Sequence, residues 1–240
     1  MSTPKKIKIC SDGLILHGLL VEPDHSKGIG ALFLHGGGHA NSTRYAKIQT
    51  IFADHGIASL AFDFRGCGES EGKFADSTLE HRLFDARVAL QEFSSRTQLS
   101  NSQIYLWGSS MGAHVACRLT SLHPNLKGII LQSAAAYAQS VESVPLGNQF
   151  TEIINQPNSW HDSLAFPAYA NYTGKKMVIY GEADEVIPAG IQAGYQQATP
   201  PDHYHLLPGG MHSMLRPSTP VQKRVWDTMV KLALDFILET

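Results

Sequence analysis

The chain has 240 residues, of which 43% are hydrophobic and 17% are charged, and its 19 Lys and Arg residues nearly balance its 21 Asp and Glu residues. The formal net charge of −2 gives no electrostatic case for a nucleic-acid partner or an anionic membrane surface. The apolar content suffices for a hydrophobic core and excludes a disordered chain or a coiled coil, and no apolar run reaches the roughly 18 residues that a membrane-spanning helix needs.

In chain order, the sequence predicts a single domain over residues 1–240 in which short apolar runs alternate with segments of helical periodicity. The predicted elements are strands at 7–10, 14–21 and 30–34, a helix at 42–55, a strand at 57–62, a helix at 77–93, a strand at 103–107, a helix at 111–122, strands at 128–131 and 176–180, a helix at 189–197, a strand at 202–207 and a helix at 220–238. The first two strands flank the turn Ser11-Asp12-Gly13 and predict a hairpin. The later βαβα order predicts an α/β fold, a mostly parallel sheet with helices on both faces.

Residues 134–174 interrupt this alternation. They contain three prolines and only short helical patterns, such as residues 150–154. The segment is too long for a plain connection, and we interpret it as a small lid over a binding site. The predicted apolar wall of that site consists of Phe150, Trp160, Phe166, Tyr169 and Tyr172. The alternative interpretation is an irregular excursion packed on the edge of the sheet.

Cysteine and histidine usage bears on the compartment and on metal binding. Cys10, Cys67 and Cys117 are odd in number and far apart, which is typical of reduced thiols in a cytoplasm. The basic residues near the N-terminus precede no apolar segment, so we expect no secretion signal and a cytoplasmic location. The 12 histidines, including His203 and His205 on one predicted strand, raise the alternative of a metal site. Without a cysteine pair or an HExxH helix, we expect ordinary surface or hydrogen-bonded histidines and no metal site.

The pentapeptide Gly108-Ser109-Ser110-Met111-Gly112 joins a predicted strand to a predicted helix. Acyl transfer needs a serine oxygen at such a sharp turn, and small residues two positions on either side permit the strained backbone. Ser110 is therefore the predicted nucleophile. Residues 68–72 match the same pattern around Ser70, but they follow a polar turn, and two carboxylates beside the hydroxyl would disfavour an oxyanion. We interpret Ser70 as part of a loop that Asp63 and Arg65 brace by pairing.

A nucleophilic serine needs a base and a group that orients the base. His212 lies in a glycine-containing loop between the last predicted strand and the last predicted helix, and it is the predicted base. Asp184 follows the predicted strand at 176–180 and is the predicted acid, with Glu182 and Glu185 as competitors in the same loop.

The predicted oxyanion hole comes from two other loops. Residues 35–38 carry three consecutive glycines after the third predicted strand, which lets the backbone approach a ligand closely. We expect the N–H groups of Gly37 and Met111 to bind the oxyanion, because the latter begins the helix behind the elbow. The four parts, loop, elbow, acid and histidine, each follow a predicted strand.

Together these motifs resemble the serine α/β-hydrolases. The matching features are a strand ending in His35-Gly36, a D-x-R-G-x-G-x-S loop at 63–70, the elbow at Ser110, a G-x-x-D-x-x-x-P segment at 181–188 and a G-x-H sequence at 210–212. The resemblance spans residues 5–238, and within the family the chain looks like small-lid esterases, such as cinnamoyl and feruloyl esterases, and like serine-aminopeptidase-like hydrolases. It implies an α/β-hydrolase fold with an eight-stranded sheet and a Ser110–Asp184–His212 triad without a cofactor.

The expected activity is hydrolysis of a small-molecule carboxylic ester through an acyl-enzyme. Thioesters and amides can use the same groups, although an amine is a poorer leaving group. A different alternative is a catalytically idle hydrolase fold that binds a small molecule. The serine at the elbow argues against the epoxide and carbon–halogen chemistries of relatives that carry an aspartate there.

Overall fold

The computed structural model describes residues 4–239, so the ends of the predicted domain, residues 1–3 and residue 240, lie outside the described residues. Its strands are β1 (Lys5–Ser11), β2 (Leu14–Val21), β3 (Ile29–Leu34), β4 (Ile57–Phe62), β5 (Ile104–Ser109), β6 (Gly128–Gln132), β7 (Lys175–Gly181) and β8 (Tyr204–Leu207). Its α-helices are α1 (Ala46–Asp54), α2 (Leu79–Thr97), α3 (Met111–Leu122), α4 (Asn148–Ile154), α5 (Ala165–Asn171), α6 (Ala189–Gln197) and α7 (Pro220–Leu238).

The strands form one eight-stranded sheet in the order β1-β2-β4-β3-β5-β6-β7-β8. The pairs β1–β2 and β2–β4 are antiparallel, and the other five pairs are parallel. Strands β4, β5 and β6 are buried along their whole length, which explains their nearly continuous apolar sequences. The predicted fold class, a mostly parallel sheet in an α/β chain, is confirmed.

Alternate residues of the central strands supply two cores. On β3, Phe33 faces one core together with Phe52 of α1 and Trp226 of α7, whereas Leu32 and Leu34 face the core on the other side of the sheet. Helices α2, α3, α5 and α6 cover that second side. Helices therefore lie on both faces, as the βαβα order predicts. Within the described residues, no helix is long and apolar enough to cross a bilayer.

Two helix boundaries differ from the sequence prediction. The helix predicted at 42–55 begins with a 3₁₀ turn over Ser42–Tyr45, and α1 follows it. Helix α2 begins after Thr78, whose hydroxyl caps the backbone N–H of His81 at 3.0 Å, and it extends through Thr97. The final turn of α2 carries polar side chains, so the apolar periodicity does not reveal it.

The segment 134–174 contains two short helices, α4 and α5, and the second was not predicted. Residues Ala165, Ala168 and Tyr169 of α5 are buried in the core that α3 and α6 share. The C-terminal part of the segment is therefore packed into the body of the fold. Only the part before α5 remains available to cover the C-terminal ends of the strands.

Candidate active site

Strand β5 leads directly into α3, and Ser110 is the single residue between them. Its φ of 52° and ψ of −119° lie in a region that L residues rarely adopt, which is the kind of strain found at functional sites. The residues two positions before and after Ser110 have no room for a side chain. A Cβ at Gly108 would lie 2.6 Å from Cα of Ala113, and one at Gly112 would lie 2.1 Å from the carbonyl oxygen of Leu34. The glycines of the elbow thus allow the turn to sit tightly against β3.

The structure brings the three predicted triad residues together. Nε2 of His212 lies 3.1 Å from Oγ of Ser110, and Nδ1 lies 3.0 Å from Oδ2 and 3.1 Å from Oδ1 of Asp184. The carboxylate side chain is completely buried, whereas the imidazole is 25% exposed. A carboxylate only accepts, so it selects the tautomer with hydrogen on Nδ1 and leaves Nε2 free to accept a proton from the serine.

The loop after β7 holds Asp184 in its ionised form. Its Oδ1 accepts hydrogen bonds from the N–H groups of Val186 at 3.0 Å and Ile187 at 3.2 Å. Burial alone would raise the pKa of Asp184, but the hydrogen bond and charge of His212 and these two N–H groups outweigh it, so the pKa is lowered. The competing Glu182 and Glu185 are exposed to solvent.

The loop that carries His212 is anchored from the sheet. The carbonyl oxygen of His212 accepts hydrogen bonds from Oγ of Ser133 at 2.9 Å and from Nε2 of Gln132 at 3.3 Å. Gln132 is the last residue of β6 and Ser133 comes directly after it, and β6 lies beside β5 in the sheet. These bonds fix the backbone of the histidine relative to the strand that presents Ser110.

The predicted oxyanion loop lies directly against the elbow. A Cβ at Gly36 would lie 3.2 Å from Cβ of Ser110, and a Cβ at Gly37 would lie 3.0 Å from Cε of Met111. The N–H of Met111 begins α3, where the first N–H groups of a helix have no intrahelical acceptor. The two predicted donors, Gly37 and Met111, are therefore neighbours in space beside the serine.

A buried arginine that sequence reasoning missed supports this loop. The guanidinium of Arg82 on α2 is fully buried, and its Nη1 donates to the carbonyl oxygens of His35 at 3.3 Å and Gly36 at 3.2 Å. Its Cζ lies 4.4 Å from the ring centroid of Phe64. The sequence does contain a sign that Arg82 is buried: it lies between Leu79 and Ala86 on the apolar face of the helix.

His35 is a second buried group in the same support. Its Nδ1 lies 2.7 Å from the carbonyl oxygen of Gly36, and its Nε2 accepts from the N–H of Phe64 at 3.1 Å. Burial, and after it the charge of Arg82, lowers the pKa of His35 well below its usual range. The imidazole is therefore neutral and acts as a structural hydrogen-bonding group.

The competing pentapeptide at residues 68–72 forms a loop away from this constellation. Oγ of Ser70 donates to the carbonyl oxygen of Asp63 at 2.6 Å and accepts from the N–H of His17 at 2.9 Å. The expected pairing of Asp63 with Arg65 is wrong, because Nη2 of Arg65 lies 2.7 Å from Oδ1 of Asp85 on α2. The carboxylate of Asp63 instead accepts backbone N–H groups of the loop and of the turn before α1.

A large pocket of about 1310 Å³ opens between the segment 134–174 and the start of α6, with Ser110 in its wall. Trp160 lines it, as the lid interpretation predicts. The other apolar lining residues include Tyr137, Ile154, Val186, Ile187 and Ile191. Sequence reasoning missed these residues. Val186 and Ile187 could have been predicted to line the site, because they form an apolar pair in the same loop as the predicted acid.

Two of the predicted wall residues lie elsewhere because their hydroxyl groups bind within the core. The Tyr169 hydroxyl lies 2.9 Å from Oγ1 of Thr199, and the Tyr172 hydroxyl donates to the carbonyl oxygen of Leu126 at 2.6 Å. Both rings are buried in the core on that side of the sheet. The prediction that Tyr169 and Tyr172 line the substrate wall is therefore wrong.

The remaining two aromatic residues are not among those that line the pocket beside Ser110. Phe150 is buried in a small cluster at α4, with its ring centroid 5.4 Å from that of Tyr137. Phe166 packs against Tyr195 of α6, with 5.1 Å between ring centroids, and borders a different surface pocket. The predicted wall role is wrong for Phe150 and Phe166 as well; Tyr137 and Ile154, which pack against the cluster of Phe150, line the pocket instead.

The alternative of a metal site depends on whether histidines such as His203 and His205 lie close to other metal-binding side chains. Among residues 4–239, no three His, Cys, Asp or Glu side chains are grouped so that they could hold a metal ion. Burial, and after it the charge of His203, lowers the pKa of His205. Cys10, Cys67 and Cys117 are free thiols, and the last two are buried.

Comparison with known proteins gives the family context for this geometry. The model of the family described as serine aminopeptidase, S33, matches residues 27–167. The chain is 32% identical over 118 residues to protein phosphatase methylesterase 1 of Candida albicans, covering 48% of the chain and 32% of the methylesterase. It is 24% identical over 164 residues to the thiohydrolase apmlB of Arthrinium phaeospermum, covering 68% and 53% of the two proteins. The chain thus spans about a third to a half of the length of these two relatives.

Solved structures share the whole fold at low sequence identity. Est1E from Butyrivibrio proteoclasticus, solved with ferulic acid bound, matches with a TM-score of 0.73 and 18% identity over 97% of this chain and 100% of that one. The α/β hydrolase GrgF from Penicillium matches with a TM-score of 0.72 and 18% identity over 98% of both chains. At this identity the likeness establishes the fold alone.

Proposed function

The chain belongs to the serine aminopeptidase S33 family of serine α/β-hydrolases, and from this premise we propose that it hydrolyses a small-molecule carboxylic ester with Ser110, His212 and Asp184. One observation carries the proposal: the imidazole of His212 bridges the buried Asp184 carboxylate and the Ser110 hydroxyl with contacts of 3.0 and 3.1 Å. This arrangement supplies an activated nucleophile, its base and the group that orients the base.

In the proposed reaction, Oγ of Ser110 attacks the ester carbonyl while Nε2 of His212 takes its proton. Asp184 stabilises the imidazolium, and the N–H groups of Gly37 and Met111 stabilise the oxyanion. The imidazolium then gives its proton to the departing alcohol, which leaves an acyl group on the serine. Water attacks this acyl-enzyme by the same route and releases the carboxylic acid.

The names of individual relatives support ester or thioester hydrolysis, whereas the description of the family, serine aminopeptidase, names hydrolysis of an amide. The matched relatives include a methylesterase and a thiohydrolase, and a structural neighbour holds ferulic acid. An ester is the favoured substrate because an alcohol leaves more readily than an amine. Thioester hydrolysis is the second candidate, favoured by the thiohydrolase relative.

Further proposals concern the lid and the compartment. We propose that the part of the segment 134–174 before α5 acts as a small lid, since Tyr137, Ile154 and Trp160 line the pocket beside Ser110. The three free cysteines support a reducing compartment such as the cytoplasm.

The test is hydrolysis of 4-nitrophenyl acetate by the purified chain and by Ser110→Ala, with Ser70→Ala as the matched control. We expect turnover by the wild type and by Ser70→Ala, and loss of nearly all turnover in Ser110→Ala, because only binding and the oxyanion hole remain. A wild-type chain that binds aryl esters without turnover would instead support the binding-module alternative.

A further inference from the structure

A second pocket, of about 490 Å³, lies on the other side of Ser110 from the lid. Its walls include the oxyanion loop, His212 and, from the turn before α1, the side chain of Arg44. Since Ser110 and His212 both border it, one half of any ester bound at the serine lies in or beside this space. Arg44 therefore borders the space beside the serine.

Arg44 has no partner that accounts for its charge. Its Nε is buried and makes no hydrogen bond, and within residues 4–239 the guanidinium forms no ion pair. The neighbouring charged side chain is another cation, Arg216, whose Nη2 donates to Oγ1 of Thr43 at 2.8 Å. Burial, and after it the positive charge of Arg216, lowers the pKa of Arg44. Two neighbouring like charges repel each other unless an anion lies between or beside them.

The other partly buried arginines of the chain show how unusual this is. Nη2 of Arg65 lies 2.7 Å from a carboxylate oxygen of Asp85, and Nε of Arg118 lies 3.0 Å from one of Glu142. Arg82, the fully buried one, donates from Nη1 to two backbone carbonyls of the oxyanion loop, although its Nε, like that of Arg44, makes no hydrogen bond. Arg44 differs from these three because, among the described residues, no nitrogen of its guanidinium has a hydrogen-bond or ion-pair partner. Buried donors in folded proteins are nearly always satisfied, so this guanidinium at a pocket needs an explanation.

We propose that Arg44 binds a carboxylate carried by the substrate, so that this enzyme prefers esters with a free anionic group in the half that enters the smaller pocket. The inference rests on the proposed function of Ser110. A guanidinium presents two parallel N–H groups that match a carboxylate, and the contact neutralises the charge that the fold leaves unpaired. One half-buried guanidinium matches a monoanion, whereas a phosphate dianion would call for further buried cations. Arg44 is then a specificity residue, and the reaction remains ordinary hydrolysis, in which water is added to give an acid and an alcohol.

The test compares two pairs of chemically matched esters. Mono(4-nitrophenyl) glutarate and its methyl ester differ by a carboxylate in the acyl half, and 4-acetoxybenzoate and its methyl ester differ by one in the leaving half. Each kcat/KM is divided by the hydroxide-catalysed rate of the same ester, which removes the difference in leaving-group reactivity. We expect the anionic member of one pair to be preferred by roughly 10- to 100-fold, the range of a charge-assisted hydrogen bond.

The variants are Arg44→Gln and, as the matched control, Lys47→Gln, which removes the same charge from an exposed position one turn further along the chain. Arg44→Gln is expected to lose the preference, mainly through KM, and Lys47→Gln to keep it. A preference that is absent in both pairs, survives Arg44→Gln, or disappears equally in Lys47→Gln overturns the inference. Should Arg44→Gln fail to fold, competitive inhibition of the wild type by benzoate but not by benzamide supports the inference, and equal inhibition overturns it. Absence of hydrolysis of every ester, neutral ones included, would refute the proposed function itself.

Discussion

Replacing Asp184 with Asn changes one atom of the buried carboxylate, and the surrounding hydrogen bonds determine where the new amide group goes. Oδ1 already accepts the N–H groups of Val186 and Ile187, so the amide oxygen of Asn takes that position. The NH₂ group then occupies the Oδ2 position, 3.0 Å from Nδ1 of His212. Nδ1 also lies 3.1 Å from the Oδ1 position, but a hydrogen on Nδ1 would face the hydrogens of the amide at the nearer Oδ2 position. We therefore expect Nδ1 to accept and the imidazole hydrogen to move to Nε2, facing Ser110. The histidine can then no longer take the proton of the serine.

The expected loss follows from this change of tautomer. Loss of the base function in a triad of this kind lowers kcat by roughly 10³- to 10⁴-fold, or about 4–5.5 kcal/mol in the activation free energy. The backbone contacts of Oδ1 are kept, so the loop should remain folded. We therefore expect a large fall in kcat with a small change in KM for 4-nitrophenyl acetate, and a thermal unfolding curve that shows a folded protein.

Matched controls come from the same loop. Glu182→Gln and Glu185→Gln make the same chemical change at exposed positions, and both should retain activity within a few-fold. Retention of more than a tenth of the activity in Asp184→Asn, or a comparable loss in either control, would refute the assignment of the acid.

The remaining predictions concern pH, metal and the lid. Because the pKa of Asp184 is lowered in the fold, its ionised form stabilises the protein above the unfolded value of about 3.9, and the free energy of unfolding should decrease as the pH falls below that value. In a pH–rate profile, kcat/KM should fall on acidification, because a protonated His212 cannot accept the serine proton. EDTA should leave the rate unchanged; loss of activity restored by a divalent metal would contradict the mechanism. Trp160→Ala should change the ratio of kcat/KM for aromatic and acetyl esters by roughly 10-fold, whereas Phe166→Ala, outside the pocket, should not.

The sheet and the elbow could be predicted from sequence because local patterns determine them. Strands buried on both faces have continuous apolar sequences, and Ser110 lies between a strand and a helix with glycines that the backbone requires. Asp184 and His212 likewise follow strand ends, and parallel strands bring those ends to one edge of the sheet.

Long-range pairings could not be predicted in the same way. Arg65 pairs with Asp85, twenty residues away, rather than with the nearby Asp63, because α2 presents that carboxylate to the loop. An aromatic side chain serves a core or a pocket equally well, so composition alone could not separate Trp160, which lines the pocket, from Tyr169, which the unpredicted helix α5 buries. Sequence shows the residue type, but the tertiary placement of its helix decides which way it faces.

The most direct test of the central claim is to identify the residue that a serine-directed fluorophosphonate labels. The wild-type chain is incubated with the reagent, digested, and the modified peptide is sequenced by mass spectrometry. We expect a single adduct on Ser110, whose hydroxyl contacts His212, and none on Ser70, whose hydroxyl is engaged by two backbone groups of its own loop and of β2. Loss of activity should parallel labelling, and Ser110→Ala should take up no reagent. An adduct on Ser70, or a fully active enzyme that carries the label on Ser110, would contradict the account.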